Sequence, residues 1–150
     1  MNHPAHPASI ARKPLPPELL QELQALLGER ATTSDAVRAH HGKDESAHPP
    51  APPDAVVFAE TTAEVAQIAK LCDKYRTPLI AFGAGSSVEG HVLAIHGGIA
   101  LDLTRMNRVL SVNVDDLDVT VEAGVTRKQL NHHLRDSGLF FPIDPGADAT

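Results

Sequence analysis

The stretch Pro78-Leu79-Ile80-Ala81-Phe82-Gly83-Ala84-Gly85-Ser86-Ser87-Val88-Glu89-Gly90 decides the fold. Its apolar start is typical of a buried parallel strand, and it then breaks into a loop of glycine, alanine and serine. Small residues allow the backbone to approach a ligand closely, and consecutive backbone N–H groups in such a turn form a concavity suited to anionic oxygens. The stretch therefore predicts a strand followed by a loop that binds a phosphate or pyrophosphate.

A strand and a helix precede this loop in the sequence pattern. The run from Ala55 to Phe58 is β-prone, and Thr61 with Glu64 has the spacing of a helix capping box. Apolar residues then follow at helical spacing to about Tyr75, at Val65, Ile68, Ala69 and Cys72. Because Thr77 precedes a proline, the helix should end there. The pattern predicts a β-α-β unit that leads into the loop.

Antiparallel strands are expected after the loop. Apolar and polar residues alternate from Ile99 to Leu103, which has the period of a strand. Two further β-prone runs, Val109–Val114 and Asp118–Ala123, have an aspartate turn between them and are the predicted antiparallel pair. Thr126 begins a helix that Gly138 should end. Together with the β-α-β unit, these patterns predict an α+β fold.

The N-terminal region has a different composition. Residues 1–17 are rich in proline and should lack packed structure, whereas leucines at positions 19, 20, 23, 26 and 27 form one stripe of an amphipathic helix that Gly28 ends. A short second helix is expected within residues 31–46, before a proline-rich segment that cannot be helical. We therefore divide the chain into an arm and helical segment, residues 1–48, and a domain, residues 49–150.

Charge and composition exclude several classes of protein. The net charge of −6 gives no basic field for a nucleic acid backbone. The single cysteine, Cys72, excludes an internal disulfide framework, which fits a reducing compartment, and we expect the cytoplasm. Cys72 itself is expected to be a small apolar residue of the core. The N-terminus does not resemble a secretory signal and no apolar run is long enough for a membrane span, so any attachment to the inner membrane is expected to be peripheral.

The glycine loop fits a nicotinamide dinucleotide site poorly. The fingerprint G-x-G-x-x-G needs a third glycine where this chain has Val88, and it needs a helix where residues 90–98 contain several glycines. An NAD-dependent dehydrogenase is therefore disfavoured. It stays open as an alternative, as does a glycine turn that binds nothing.

Five stretches, in this order, resemble successive landmarks of the FAD-linked oxidase family. They are residues 49–57, 78–90, 102–110, 121–125 and 141–150. The resemblance covers roughly residues 40–150 and is to the FAD-binding domain of the vanillyl-alcohol oxidase or p-cresol methylhydroxylase type. The nearest branch contains D-lactate dehydrogenase (cytochrome) and the glycolate oxidase flavin subunit.

The resemblance implies which residues bind FAD. The loop would offer backbone N–H groups and two hydroxyls to the pyrophosphate, and the last residues would lie along the flavin side of the cofactor. The implied contact residues are Gly83, Ala84, Gly85, Ser86, Ser87, Gly90, Pro145, Gly146, Ala147, Asp148 and Thr150. Some members link FAD through a histidine in this loop, but here the loop reads Gly85-Ser86-Ser87, so noncovalent FAD is expected.

The resemblance also implies an activity. The complete enzyme would oxidise a D-2-hydroxy acid, foremost D-lactate to pyruvate, and pass electrons to a cytochrome or quinone. Family members carry their catalytic residues in a substrate domain that would follow Thr150, so no catalytic residue is assigned and residues 1–150 alone are expected to be inactive. The alternative is a truncated remnant or ligand-binding module of the same fold.

The remaining candidate residues have simpler interpretations. The adjacent pairs at positions 40–41 and 132–133 are histidines that would point about 100° apart in a helix, so no metal site is assigned. His91 is interpreted as a loop residue. Arg105 and Arg108 are interpreted as solvated surface residues, with pairing to carboxylates or to an FAD phosphate as the alternatives.

Overall fold

A leucine-rich helix begins the part of the chain that we describe, residues 12–143 of a computed structural model. Helix α1, Pro17–Leu27, buries Leu19, Leu23 and Leu27 as the spacing predicted, and Gly28 ends it with φ +62°. The predicted arm falls mostly on residues 1–11, which lie outside the described residues.

Short elements connect α1 to the sheet. A 3-10 turn, Gly28–Arg30, leads to strand β1, Ala31–Thr32, and then to helix α2, Asp35–His40. The predicted short second helix is therefore confirmed. Strand β1 has only two residues, too few to show a period of two, and the sequence pattern did not reveal it.

The predicted β-α-β unit is confirmed. It consists of strand β2, Ala55–Phe58, helix α3, Thr62–Lys74, and strand β3, Leu79–Phe82. Thr61 caps α3, because its hydroxyl accepts a hydrogen bond from the Glu64 backbone N–H at 3.1 Å. Helix α3 buries Ile68 and Cys72 against the sheet, and burial raises the pKa of the Cys72 thiol to about 11.

Strand β4, Ile99–Asp102, lies between β2 and β3 in the sheet order β1-β2-β4-β3. Its pairings with β2 and β3 are parallel, whereas β1 is antiparallel to β2. The alternation that predicted this strand suggests one face in solvent, yet all four residues are buried, including Asp102. A central strand is covered on both faces, which explains the difference.

A second, two-stranded sheet follows, as predicted. Strands β5, Val109–Asn113, and β6, Asp118–Val121, pair antiparallel, and helix α4, Arg127–Leu134, comes next with Thr126 as its cap. A 3-10 turn then ends at Gly138, with φ +74°. These elements and the parallel sheet form the predicted α+β fold.

One hydrophobic core joins the N-terminal helix to the parallel sheet. Leu19 and Leu23 of α1 are fully buried with Val57 of β2 and Ile68 of α3. Residues on both sides of position 48 therefore contribute to the same core. The division of the chain into residues 1–48 and 49–150 stays a prediction.

A partly buried ion pair fixes the turn after α1 to the start of α3. Arg30 donates two hydrogen bonds to Glu64, at 2.8 and 2.6 Å, and a third to the Phe58 carbonyl at 3.1 Å. The Arg30 hydrogen bonds lower the pKa of Glu64 from 4.5 to about 2. A carboxyl with a lowered folded-state pKa stabilises the fold above its unfolded pKa, and this stabilisation is lost as the pH falls through the folded value.

We expect Glu64→Gln to lower the free energy of unfolding at neutral pH by about 1–2 kcal/mol, because a charged pair becomes a neutral contact. The difference from wild type should shrink as the pH falls from about 4.5 to about 2. Chemical denaturation across this pH range measures both effects. Asp73→Asn removes an exposed pair with Arg76 and serves as the control, with little change expected; an equal loss in the control would contradict the role given to Glu64.

Candidate cofactor site

The glycine loop leaves the sheet at the carboxyl end of β3. Because β3 and β4 are parallel, Gly83 after β3 and Thr104 after β4 emerge at the same edge. The Leu103 backbone N–H donates to the Phe82 carbonyl at 3.0 Å and holds the two strand ends together. In open parallel sheets, this is the edge where ligands bind.

The loop offers a continuous row of backbone donors. None of the N–H groups from Gly83 to Val88 donates a hydrogen bond to any residue that the structure describes. Backbone donors need acceptors, so solvent or a ligand must supply them here. Residues 83–98 contain no helix, as the sequence predicted, and this differs from the nicotinamide fingerprint, in which a helix follows the glycines.

Residues after α2 hold the far end of the loop in place. Asp44 accepts a hydrogen bond from the Gly90 backbone N–H at 3.0 Å, and the Glu45 N–H donates to the Ser87 carbonyl at 2.9 Å. Hydrogen bonds from Ser46, with smaller contributions from Ser87 and Gly90, keep the pKa of Asp44 below its ordinary value despite desolvation. The Ser87 hydroxyl also lies 2.9 Å from His91 Nδ1. The donor row is thus anchored at both ends.

The fold accounts for two of the three loop glycines. Gly85 and Gly90 have φ of +69° and +77°, and a Cβ on either would lie within 3 Å of a neighbouring ring. A Cβ on Gly83 would meet nothing within 4 Å, and its φ lies outside the left-handed region. A requirement from outside the described residues, such as a closely approaching ligand, would explain a glycine at position 83.

Two clefts meet at the start of the loop, with volumes of about 430 and 540 Å³. Both are lined by Gly83, Ala84 and Thr104. The first continues to the residues that begin α4, from Ala123 to Gln129, and the second continues to α2. The start of the loop therefore lies where the parallel sheet faces the unit formed by β5, β6 and α4.

The spacing between these two units is set by Gly124. Its N–H donates to the Met106 carbonyl at 2.8 Å, and a Cβ at this position would overlap the Leu103 carbonyl oxygen. Backbone packs directly on backbone at this point.

A buried contact between a histidine and an aspartate borders the second cleft. His41 Nε2 lies 2.8 Å from Asp102 Oδ2, and both side chains are about 95% buried. Sequence reasoning interpreted His41 as one half of an adjacent histidine pair and Asp102 as the polar position of an alternating strand. The two are 61 positions apart, and no local pattern connects them.

The other predicted residues have the following positions. Arg105 pairs with Glu60 at 2.9 Å and Arg108 with Glu122 at 2.6 Å, so both guanidinium groups lie near the surface with carboxylate partners. The contact residues implied near the C-terminus, Pro145, Gly146, Ala147, Asp148 and Thr150, lie outside the described residues. Among residues 12–143, no group of three His, Cys, Asp or Glu side chains could hold a metal ion, and no helix could cross a membrane.

Comparison with known proteins assigns the domain. Residues 53–150 match the family described as FAD binding domain. The chain belongs to this family of FAD-linked oxidases. The chain is 52% identical over 122 residues to the probable mitochondrial D-lactate dehydrogenase of Danio rerio, a match that covers 81% of this chain and 24% of that protein.

Other relatives agree with the assignment. The mitochondrial D-lactate dehydrogenase [cytochrome] of Arabidopsis thaliana is 41% identical over 140 residues, covering 92% of this chain and 25% of that protein. The chain thus spans about a quarter of the length of these relatives. Substrate-bound p-cresol methylhydroxylase superposes with a TM-score of 0.78 at 22% identity, covering 88% of this chain and 27% of that one. At that identity the likeness shows the fold alone.

Two variants distinguish a glycine that leaves space for a ligand, Gly83, from a glycine that allows close backbone packing, Gly124. We expect Gly83→Ala to leave the melting temperature unchanged, because the added methyl group meets nothing within 4 Å, and to raise the Kd for FAD by about tenfold or more, or about 1.4 kcal/mol. Gly124→Ala should instead lower the free energy of unfolding by about 1–3 kcal/mol through overpacking. Thermal denaturation and fluorescence titration with FAD measure both; unaltered FAD affinity in Gly83→Ala would argue against the loop as the binding site.

Proposed function

We propose that these residues form the pyrophosphate-binding part of the FAD domain of a D-2-hydroxy-acid dehydrogenase. The observation that carries the proposal is the row of backbone donors from Gly83 to Val88 without acceptors among the described residues, at the carboxyl edge of a parallel sheet. Such a row suits the two negative charges of a pyrophosphate. The absence of a side chain at Gly83 leaves space for a phosphate oxygen to reach it.

The loop residues have distinct proposed roles. Gly83, Ala84 and Gly85 offer backbone N–H groups to the pyrophosphate, while Ser86 and Ser87 add N–H groups and hydroxyls. Gly90 supports the loop through its hydrogen bond to Asp44. The role of residues 145–150 beside the flavin remains a proposal from the resemblance.

Noncovalent attachment is part of the proposal. The positions at the turn of the loop are glycine and serine, neither of which forms the histidyl link of some family members. The next histidine along the chain, His91, follows the loop and has its Nδ1 beside the Ser87 hydroxyl.

The proposed substrate is D-lactate, and the proposed electron acceptor is a cytochrome, with a quinone as the alternative. Support comes from the names of the Danio rerio and Arabidopsis thaliana relatives. FAD would supply the acceptor for the hydride that leaves C2 of the hydroxy acid. We assign no catalytic residue to this chain. The cytoplasmic location stays a prediction, and both relatives are named mitochondrial.

The proposal is tested on the full-length protein that carries these residues. It should bind FAD with the absorbance of an oxidised flavin, release it on acid denaturation, and lose the flavin absorbance when D-lactate is added without oxygen. L-lactate and glycolate are the comparison substrates. FAD binding without reduction by any 2-hydroxy acid would favour a non-catalytic binding module. Binding of NAD in preference to FAD would overturn the proposal.

A further inference from the structure

His41 is the residue that follows α2, and its imidazole is almost completely buried. It is 3% exposed and packs against the rings of Phe58 and Phe82, with centroid distances of 5.7 and 4.2 Å. The proposed function gives this side chain no task. A buried titratable group is costly unless its polar atoms have partners, so its hydrogen bonds indicate which proton state it holds.

Both ring nitrogens of His41 face hydrogen-bond acceptors. Nδ1 lies 2.9 Å from the Val37 carbonyl oxygen, and Nε2 lies 2.8 Å from Asp102 Oδ2. A carbonyl oxygen can only accept, so Nδ1 must carry a hydrogen. A neutral imidazole has one N–H and cannot also donate to an ionised carboxylate. The pair therefore needs one proton more than a neutral histidine and an ionised aspartate contain.

The surroundings of Asp102 place that proton on the imidazole. Burial by itself would raise the pKa of this carboxyl, but hydrogen bonds from His41 and from the hydroxyl and backbone N–H of Thr104 outweigh it and keep the pKa below its ordinary value. The carboxylate is therefore ionised, and His41 is the proton carrier. Aromatic rings beside the imidazole also favour a cation.

We propose that His41 and Asp102 form an imidazolium–carboxylate pair at neutral pH and that this pair positions the start of the glycine loop for its cofactor. The second half of the proposal rests on the proposed function. The first half concerns only the protonation of two side chains.

Two sets of contacts connect the pair to the start of the loop. The His41 ring packs on Phe82, the last residue of β3, which directly precedes Gly83 and whose ring would also meet a Cβ on Gly85. Asp102 holds Thr104, which lines both clefts, through Oδ1. Loss of the imidazole proton would set a lone pair against either the Val37 carbonyl or the Asp102 carboxylate. His41 would then lose one of its two anchors and no longer fix Phe82.

Other charged groups near the ring are engaged elsewhere or exposed. His40 lies beside it, with centroids 5.3 Å apart, and is exposed. The remaining groups on the neighbouring elements have their own partners within the described residues. These are Arg38 with Asp35, Arg105 with Glu60, and Asp44 with Ser46 and Gly90; Lys43, next along the chain, is exposed. Asp102 is thus the group that decides the proton state of His41.

Asp102→Asn provides a matched variant. The oxygen of the introduced amide can accept from Thr104, and its NH₂ can donate to Nε2 of a neutral His41 whose Nδ1–H still bonds the Val37 carbonyl. Both hydrogen bonds of the imidazole survive without the additional proton. The variant should therefore keep the geometry and remove the need for a charge.

The first measurement is the ¹⁵N spectrum of the imidazoles in the full-length protein. In wild type at neutral pH, where an ordinary histidine is mostly neutral, we expect both His41 nitrogens to be protonated. In Asp102→Asn we expect the neutral Nδ1–H form. A wild-type His41 with only one protonated nitrogen at that pH would overturn the first half of the proposal.

The second measurement is the Kd for FAD against pH. For wild type, we expect it to rise by up to about tenfold per pH unit above the pH at which the spectrum shows proton loss, and for Asp102→Asn we expect no rise there. His41→Gln, which lacks the ring that packs on Phe82, should bind FAD about tenfold more weakly at neutral pH. His96→Gln, which replaces an exposed histidine at the other end of the strands, is the control.

Each result has a distinct meaning. If His41→Gln folds and binds FAD as tightly as wild type, the positioning role is wrong. If His41→Gln does not fold, a wild-type Kd that stays flat while the spectrum shows proton loss overturns that role instead. If wild type binds no FAD at all, the proposed function fails, and the ¹⁵N spectrum still decides whether the pair is charged.

Discussion

The register between β3 and β4 is the constraint on which the candidate site depends. Phe82 pairs with Asp102, and Phe58 of β2 pairs with Asp102 from the other side. The glycine loop and Thr104 consequently leave the sheet together. A shift of one residue would move Asp102 to the opposite face of the sheet, away from His41, so the buried contact and the position of the loop are specified by the same pairing.

Much of the fold could be predicted because its patterns are local. The leucines of α1 recur at helical spacing, Thr61 and Thr126 cap the helices they precede, and β5 and β6 are joined by a short aspartate turn. The glycine loop could also be recognised, because small residues after an apolar run restrict what the backbone can do. Such features are visible within a window of about a dozen residues.

The features that escaped prediction depend on distant partners. The central position of β4 cannot be seen in Ile99–Asp102 itself, because it depends on pairing with β2 on one edge and β3 on the other. Asp102 looked like a solvent-facing residue because its partner, His41, lies 61 positions away. The sequence predicted that the loop offers backbone N–H groups to an anion. It did not predict that Asp44 and Glu45 anchor the loop, because only tertiary packing brings those residues to the loop.

The contact at Gly124 limits how the first cleft can change through substitutions in related proteins. Two backbones touch there without side chains between them, and backbone atoms are far less compressible than a rotatable side chain. The width of the first cleft is therefore set by a main-chain contact rather than by the side chains that line it. Substitutions along its walls can change the chemistry of the opening while its dimensions stay the same.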